Sequence, residues 1–286
     1  MRYLLETSER IAIARENHFM GHYFGRRGAR HYFRQAGDLA DDATIRRIVE
    51  MLYSGEYEHH SRWRNVSPYW RWLKETVARD ELERRMLAAE RSERGLFRTF
   101  LQLYAESMGR PVMGEKTPTH LGHVDELLEW FPDARIIHML RDPRAIYVSD
   151  RHRRKTRGRP PYSYLARIPL LLESWLLLMT AFSWRRALRR HRRLAKQYAG
   201  RYMLLRFEDV LKIYEATIPR LSAFLGVELP AQPESVRVPA KHGMRSSEEG
   251  LDPAAADRWR ARIQPIARRI LELALRGPMR AYGYTD

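Results

Sequence analysis

The chain has 286 residues and a formal charge of +17, from 52 Lys and Arg against 35 Asp and Glu, with a sequence pI near 10.4. That length buries a sizeable core and excludes a disordered tail protein, while the charge calls for an anionic partner: nucleic acid, an anionic membrane face, an acidic protein or glycan, or a polyphosphorylated small molecule. With no cysteine, disulfide frameworks, thiolate nucleophiles and cysteine-based metal sites are excluded, and a cytoplasmic location is favoured.

Met1 to Leu5 run straight into Glu6, Ser8, Glu9 and Arg10 without an apolar core, so no signal peptide is expected. Strand-like runs stand at 10–14, 111–114, 134–140 and 201–205, each succeeded by a helix-like segment. Between the first two lies helical spacing at 44–52, 70–86 and 96–108, so 30–108 reads as a helical insert. Within it Trp63, Tyr69, Trp70 and Trp72 gather near Pro68; a packed helix junction outweighs an acceptor-binding lid. The apolar stretch 168–182 contains Glu173 and is shorter than the roughly 20 residues that span a bilayer, so it reads as a buried helix. Basic runs flank it, a loop-like one at 151–159 and a helical one at 185–196, both most simply solvated faces. The alternation implies a single α/β domain over 1–286, a parallel sheet flanked by helices.

Two segments carry chemistry. In 134–149, a strand, turn and helix, Asp142 caps the helix, Pro143 suits its first turn, and Arg141 ends the strand. Ser149, about two turns into the helix, can point back so that hydroxyl and guanidinium meet one phosphate beside the helix N-terminus, with Arg153 one turn further. Arg141 alone would be a surface arginine on a loop carboxylate; the combined spacing supports phosphate binding. In Gly114-Glu115-Lys116-Thr117-Pro118, Thr117 is expected to cap a helix and Pro118 to enter its first turn. Ligands of open parallel sheets bind at strand C-terminal ends, so Glu115, Lys116 and Arg141 should line a common crevice. The plainer alternative is a surface ion pair between Glu115 and Lys116.

These blocks resemble the sulfotransferases that use 3′-phosphoadenosine 5′-phosphosulfate (PAPS), especially the tyrosylprotein and bacterial branch. Arg141-Asp142-Pro143-Arg144 with Ser149 resembles the family's 3′-phosphate segment. Gly114 to Pro118, Arg206-Phe207-Glu208-Asp209-Val210 with Phe224-Leu225-Gly226, and Trp259-Arg260 through Tyr282-Gly283-Tyr284 resemble three further blocks. Each is weak by itself; four in order are specific. The resemblance implies a P-loop NTPase-like sheet and sulfuryl transfer from PAPS to a hydroxyl acceptor (protein tyrosine, glycan or small molecule), releasing adenosine 3′,5′-bisphosphate. It requires no metal, nucleic acid or transmembrane segment, and specifies neither the acceptor nor an oligomeric state.

Two departures stand out. Phe207 replaces a tyrosine that the family often places near the nucleotide, so that contact should be lost. The family's phosphate loop, Arg/Lys-Ser-Gly-Thr-Thr, is missing from the chain, whose residues 4–19, ending in Glu16-Asn17-His18-Phe19, resemble the family's segment just downstream of that loop. Gly25-Arg26-Arg27-Gly28 is preceded by no strand and reads as a basic turn. Either the chain is an N-terminally shortened enzyme or it is a degenerate relative. The first is favoured, because losing a central parallel strand would expose backbone donors, acceptors and apolar faces.

The resemblance assigns Glu16, in its Glu-x-His-Phe turn, as first candidate for the catalytic base and Glu115 as second, with Lys116 in the electrostatic role. His18 and His120 would orient or replace a base, although packing roles are commoner. Arg245, in a loop with Lys241, His242 and Ser246, would close the nucleotide site. The competing classes are a non-catalytic nucleotide-binding relative, a basic nucleic-acid-binding protein, and a peripheral membrane protein. The last requires the apolar helix at 168–184 to be exposed, whereas burial is expected.

Overall fold

The computed structural model describes residues 1–21, 28–56, 67–156, 168–236 and 250–285. The chain divides into two compact units, Met1–Asp133 and Ala134–Asp286, each containing a parallel strand pair.

The first unit contains α1 (Arg2–Leu5), β1 (Ile11–Ala14), α2 (Ala29–Phe33), α3 (Asp42–Tyr53), α4 (Pro68–Thr76), α5 (Arg79–Ala88), α6 (Glu93–Ser107), β2 (Val112–Glu115) and α7 (Val124–Trp130). β1 and β2 pair in parallel from Ile11 with Val112 to Ala14 with Glu115, so their C-terminal ends emerge side by side. All four β1 residues are buried, as a parallel strand covered on both faces requires, and α6 packs on both strands. The run expected as one helix at 70–86 is two, because Val77 and Ala78 are extended and the Tyr53 hydroxyl donates to the Val77 carbonyl at 2.6 Å. Tyr69 and Trp70 are buried, Trp70 lies 5.0 Å from Phe100 and Trp72 lies 4.7 Å from Tyr104, which makes the packed junction. Trp63 lies outside the described residues. Phe19, arriving from the end of β1, stacks on Phe97 at 4.9 Å and ties that turn to the aromatic core.

The second unit contains β3 (Ile136–Leu140), α8 (Pro143–Thr156), α9 (Pro169–Gln197), β4 (Tyr202–Arg206), α10 (Phe207–Lys212), α11 (Tyr214–Leu225) and α12 (Pro265–Ala281). β3 and β4 pair in parallel from Ile136 with Tyr202 to Leu140 with Arg206, so α8 and α9 form the crossover of a βαβ arrangement. α9 corrects an expectation. The 168–182 stretch is helical, but only one stripe is buried, Leu172, Leu176 and Thr180, continuing through Trp184 and Leu188. Leu170, Leu171, Trp175, Leu178 and Phe182 are exposed. A helix packed on neighbours along one side buries residues four apart and leaves the rest outside, however apolar they are.

His138 on β3 is buried, with Nδ1 2.5 Å from the Tyr202 hydroxyl and its ring 6.2 Å from that of His191. Burial, aided by His191, lowers its pKa to about 4. Between that value and the ordinary 6.5 the unfolded chain therefore binds more protons than the folded one, and stability falls with acidification. His138 should account for about 2 kcal/mol of stability lost between pH 7.5 and pH 5. His138→Gln keeps a polar partner for Tyr202 without the titration, so urea unfolding at the two pH values should show that loss shrink. An unchanged loss would assign acid sensitivity to other groups.

Candidate functional site

The turn after β1 is held by buried contacts. Asn17 Oδ1 accepts from the Phe19 amide at 2.9 Å, the Asn17 carbonyl accepts from Trp70 Nε1 at 2.9 Å, and the Glu16 carbonyl accepts from the Ser67 hydroxyl. His18 has φ 52°, a left-handed conformation that only a tightly held non-glycine residue keeps. The first amides of α2 complete the clamp, Ala29 N donating to the His18 carbonyl at 3.1 Å and Arg30 N to that of Phe19 at 3.2 Å. A Cβ on Gly28 would stand 2.4 Å from the Phe19 oxygen and 2.5 Å from the His18 oxygen, so only glycine permits this approach. Gly28 thus has a role in shaping the site that the reading as a basic turn missed.

A charged cluster sits at the C-terminal ends of β1 and β2. The Lys116 ammonium donates to the Glu16 carboxylate, and His18 Nε2 is 3.7 Å from the other Glu16 oxygen. Glu115 accepts from the Thr117 hydroxyl and, at 3.4 Å, from the Asn17 amide. His120 Nδ1 lies 2.8 Å from Glu115 Oε2, close enough for electrostatic attraction but not aligned as a hydrogen bond. His120 Nε2 is buried without a hydrogen-bond partner among the described residues. Burial lowers the His18 pKa, opposed by Glu16 and Glu115. The two candidate bases differ in access: the Glu115 side chain is 4% exposed, that of Glu16 33%. Lys116 pairs with Glu16 and not with Glu115, against the plainer alternative. Thr117 also departs from expectation: its hydroxyl is taken by Glu115, leaving no side-chain cap, and Pro118–Gly122 forms a 3-10 turn.

In the second unit Asp142 caps α8 as expected, Oδ1 accepting from the Arg144 amide at 2.7 Å, with Pro143 in the first turn. Buried Glu208 receives the Asp142 amide and the Tyr284 hydroxyl, each at 3.0 Å. Arg144 is buried between Asp142 at 2.8 Å and Glu272 at 2.6 Å, with Trp259 4.3 Å below its guanidinium. Arg141, at the end of β3, lies 4.6 Å over the Phe207 ring, and its Nε is buried with no hydrogen-bond partner among the described residues. Burial lowers its pKa, opposed by Glu208, Asp142 and Tyr284. Phe207 therefore offers no hydroxyl but gives this guanidinium an aromatic face.

The profile of the Sulfotransferase family matches residues 1–231. The chain belongs to the sulfotransferase family. It is similar to the omega-hydroxy-beta-dihydromenaquinone-9 sulfotransferase Stf3 of Mycobacterium bovis and of Mycobacterium tuberculosis, 40% identical over 63 residues, which make up 22% of this chain and 16% of either relative. Among solved structures it is similar to the sulfotransferase domain of the Synechococcus PCC 7002 olefin synthase, at 17% identity and TM-score 0.44 over 79% of this chain and 82% of that one. It is also similar to the sulfotransferase domain from the curacin biosynthetic pathway, at 15% identity and TM-score 0.39 over 76% and 82%.

In this member of the sulfotransferase family the structure brings Glu16, Glu115 and Lys116 together within the first unit. Arg141, Ser149 and Arg153 belong to the second. Ser149 is exposed on α8 and no hydrogen bond links it to Arg141 among the described residues; Arg153 donates to Asp150 at 2.9 Å. Arg245, with Lys241, His242 and Ser246, lies outside the described residues. Arg144 and Glu208 acquire roles the sequence reading did not give them. Each stands in a quoted block, but apart from Asp142, two residues from Arg144, their carboxylate, amide and hydroxyl partners are 66 to 128 residues away. Among the described residues no group of three or more His, Asp or Glu could hold a metal ion, and no helix is long and apolar enough to cross a membrane.

Proposed function

We propose that this sulfotransferase transfers a sulfuryl group from PAPS to a hydroxyl acceptor, with Glu16 as the base and Lys116 as the charge-stabilising cation. The observation carrying this reading is the open Glu16 carboxylate joined to Lys116 at the C-terminal ends of two parallel strands, where ligands of α/β folds bind. Glu16 takes the proton of the acceptor hydroxyl, a role that requires access, whereas Glu115 is enclosed and with His120 holds the turn behind it. Lys116 brings positive charge to the oxygens on which negative charge develops.

The buried Arg141 Nε fits a phosphate oxygen: it is a charged donor with no acceptor among the described residues, backed by an aromatic ring and next to a capped helix start. Arg141, Ser149, Arg153 and Arg245 are the residues proposed to hold the nucleotide. PAPS, when bound, supplies the activated sulfuryl group. Titration calorimetry of the chain with adenosine 3′,5′-bisphosphate tests the site. Arg141→Ala should weaken binding about tenfold to a hundredfold, from the worth of a charge-assisted hydrogen bond, and Ser149→Ala by less. Unchanged affinity in both variants, or no binding by the parent chain, would overturn the nucleotide assignment.

A further inference from the structure

The outward face of α9 has no part in the chemistry above. Leu171, Trp175, Leu178 and Phe182 succeed one another at intervals of four, three and four residues and are all exposed, forming one apolar stripe. Leu170 and Ile168 extend it at the start of the helix. Beyond Phe182 the helix turns basic, with Arg185, Arg186, Arg189, Arg192 and Arg193 all exposed. α12 packs beside α9 and repeats the composition: Ile266, Ile270 and Leu273 are exposed, together with Arg269, Arg276 and Arg280. Arg185 donates to the Ala274 carbonyl, joining the two helices at the apolar-to-basic boundary.

Negative charge on these helices is already engaged. The sole carboxylate of α9, Glu173, accepts from Tyr147 and Arg151, and the sole carboxylate of α12, Glu272, from Arg144 and Arg268. The stripe from 168 to 182 runs about 21 Å at the helical rise, short of the roughly 30 Å hydrocarbon layer, so it suits a helix lying in an interface and not one crossing it. An exposed tryptophan inside an apolar stripe, with arginines beyond it, is the composition of helices that settle at the headgroup level.

We infer that α9, with α12 beside it, docks this protein on an anionic membrane surface, the apolar stripe entering the acyl boundary and the arginines holding headgroup phosphates. A second copy of the chain is a poorer occupant. Pairing stripe on stripe would cover the apolar residues but, with Glu173 and Glu272 already engaged, these helices bring the arginines no further carboxylate, whereas an anionic bilayer satisfies both halves of the helix. The inference stands apart from the transfer reaction and does not depend on it.

Flotation of the purified chain with vesicles tests it, comparing phosphatidylcholine alone with phosphatidylcholine containing phosphatidylglycerol, at low and high salt. Binding is expected to the anionic vesicles, weakened by salt. The triple variant Leu171→Ser, Leu178→Ser, Phe182→Ser should lose binding by about tenfold or more with an unchanged melting temperature, since exposed apolar residues contribute to docking and not to the core. Arg186→Gln, Arg189→Gln and Arg192→Gln together should remove the preference for anionic vesicles. Failure of the parent chain to float, or equal binding by the serine variant, overturns the proposal. So does a dimer, seen by light scattering, that the serine substitutions dissociate while vesicle binding is absent.

Discussion

Glu16→Gln is expected to lower sulfuryl transfer about 10²- to 10⁴-fold, the usual contribution of a positioned general base, while leaving affinity for adenosine 3′,5′-bisphosphate within about twofold. The assay tracks labelled sulfur from PAPS into a panel of hydroxyl acceptors, with calorimetry beside it. The substitution is close to isosteric and keeps an acceptor for Lys116, so the turn after β1, held by Ser67, Trp70 and the amides of α2, should persist. Lys116→Met should cost about 10²- to 10³-fold, the usual worth of one donor that stabilises charge developing in the transition state. Glu115 provides the contrast, because its carboxylate faces Thr117, Asn17 and His120 from within the fold. Glu115→Gln should act first on melting temperature. A rate loss confined to Glu115→Gln, with Glu16→Gln as active as the parent, would transfer the base to Glu115.

Arg144→Ala is the substitution expected to harm stability most, by about 3–5 kcal/mol, the cost of removing one partner of a buried ion pair. Arg144 is 1% exposed and its guanidinium reaches Asp142 and Glu272 while lying over Trp259. Removing it leaves the nearly enclosed Asp142 carboxylate uncompensated and empties the space above the indole. It also releases the C-terminal helix from the turn that presents Arg141. In chemical denaturation the midpoint should fall, and the melting temperature should drop by about 10 °C for a unit of this size. Arg144→Lys, which keeps the charge but loses the planar fork, should recover only part of the loss. A loss below about 1 kcal/mol for Arg144→Ala would show that the network can be replaced by packing or water.

Strands, their parallel sense and the larger helices were legible in the residues, because period, capping and proline placement act within a few positions along the chain. Asp142 and Pro143 show this well: the cap was readable because its acceptor and donor are two residues apart. The same local rules failed at 77–78, where a helical pattern continues but the Tyr53 hydroxyl, 24 residues earlier, claims the Val77 carbonyl. They failed again at Thr117, where a competing carboxylate withdraws the capping hydroxyl.

The candidate site divides along the same line. Glu16, Glu115 and Lys116 could be named from short motifs, since each stands at or just past a strand end. Their pairing could not, because Lys116 meets Glu16 across 100 positions, and only the register of β1 with β2 places both at one edge. Which arginine of Arg141-Asp142-Pro143-Arg144 is structural, and which keeps a nitrogen unsatisfied among the described residues, was likewise beyond the motif. It depends on Glu272, Trp259 and Phe207 arriving from far along the chain. The exposed stripe of α9 obeys the same logic: composition sets how apolar a helix is, and packing sets which of its faces water meets.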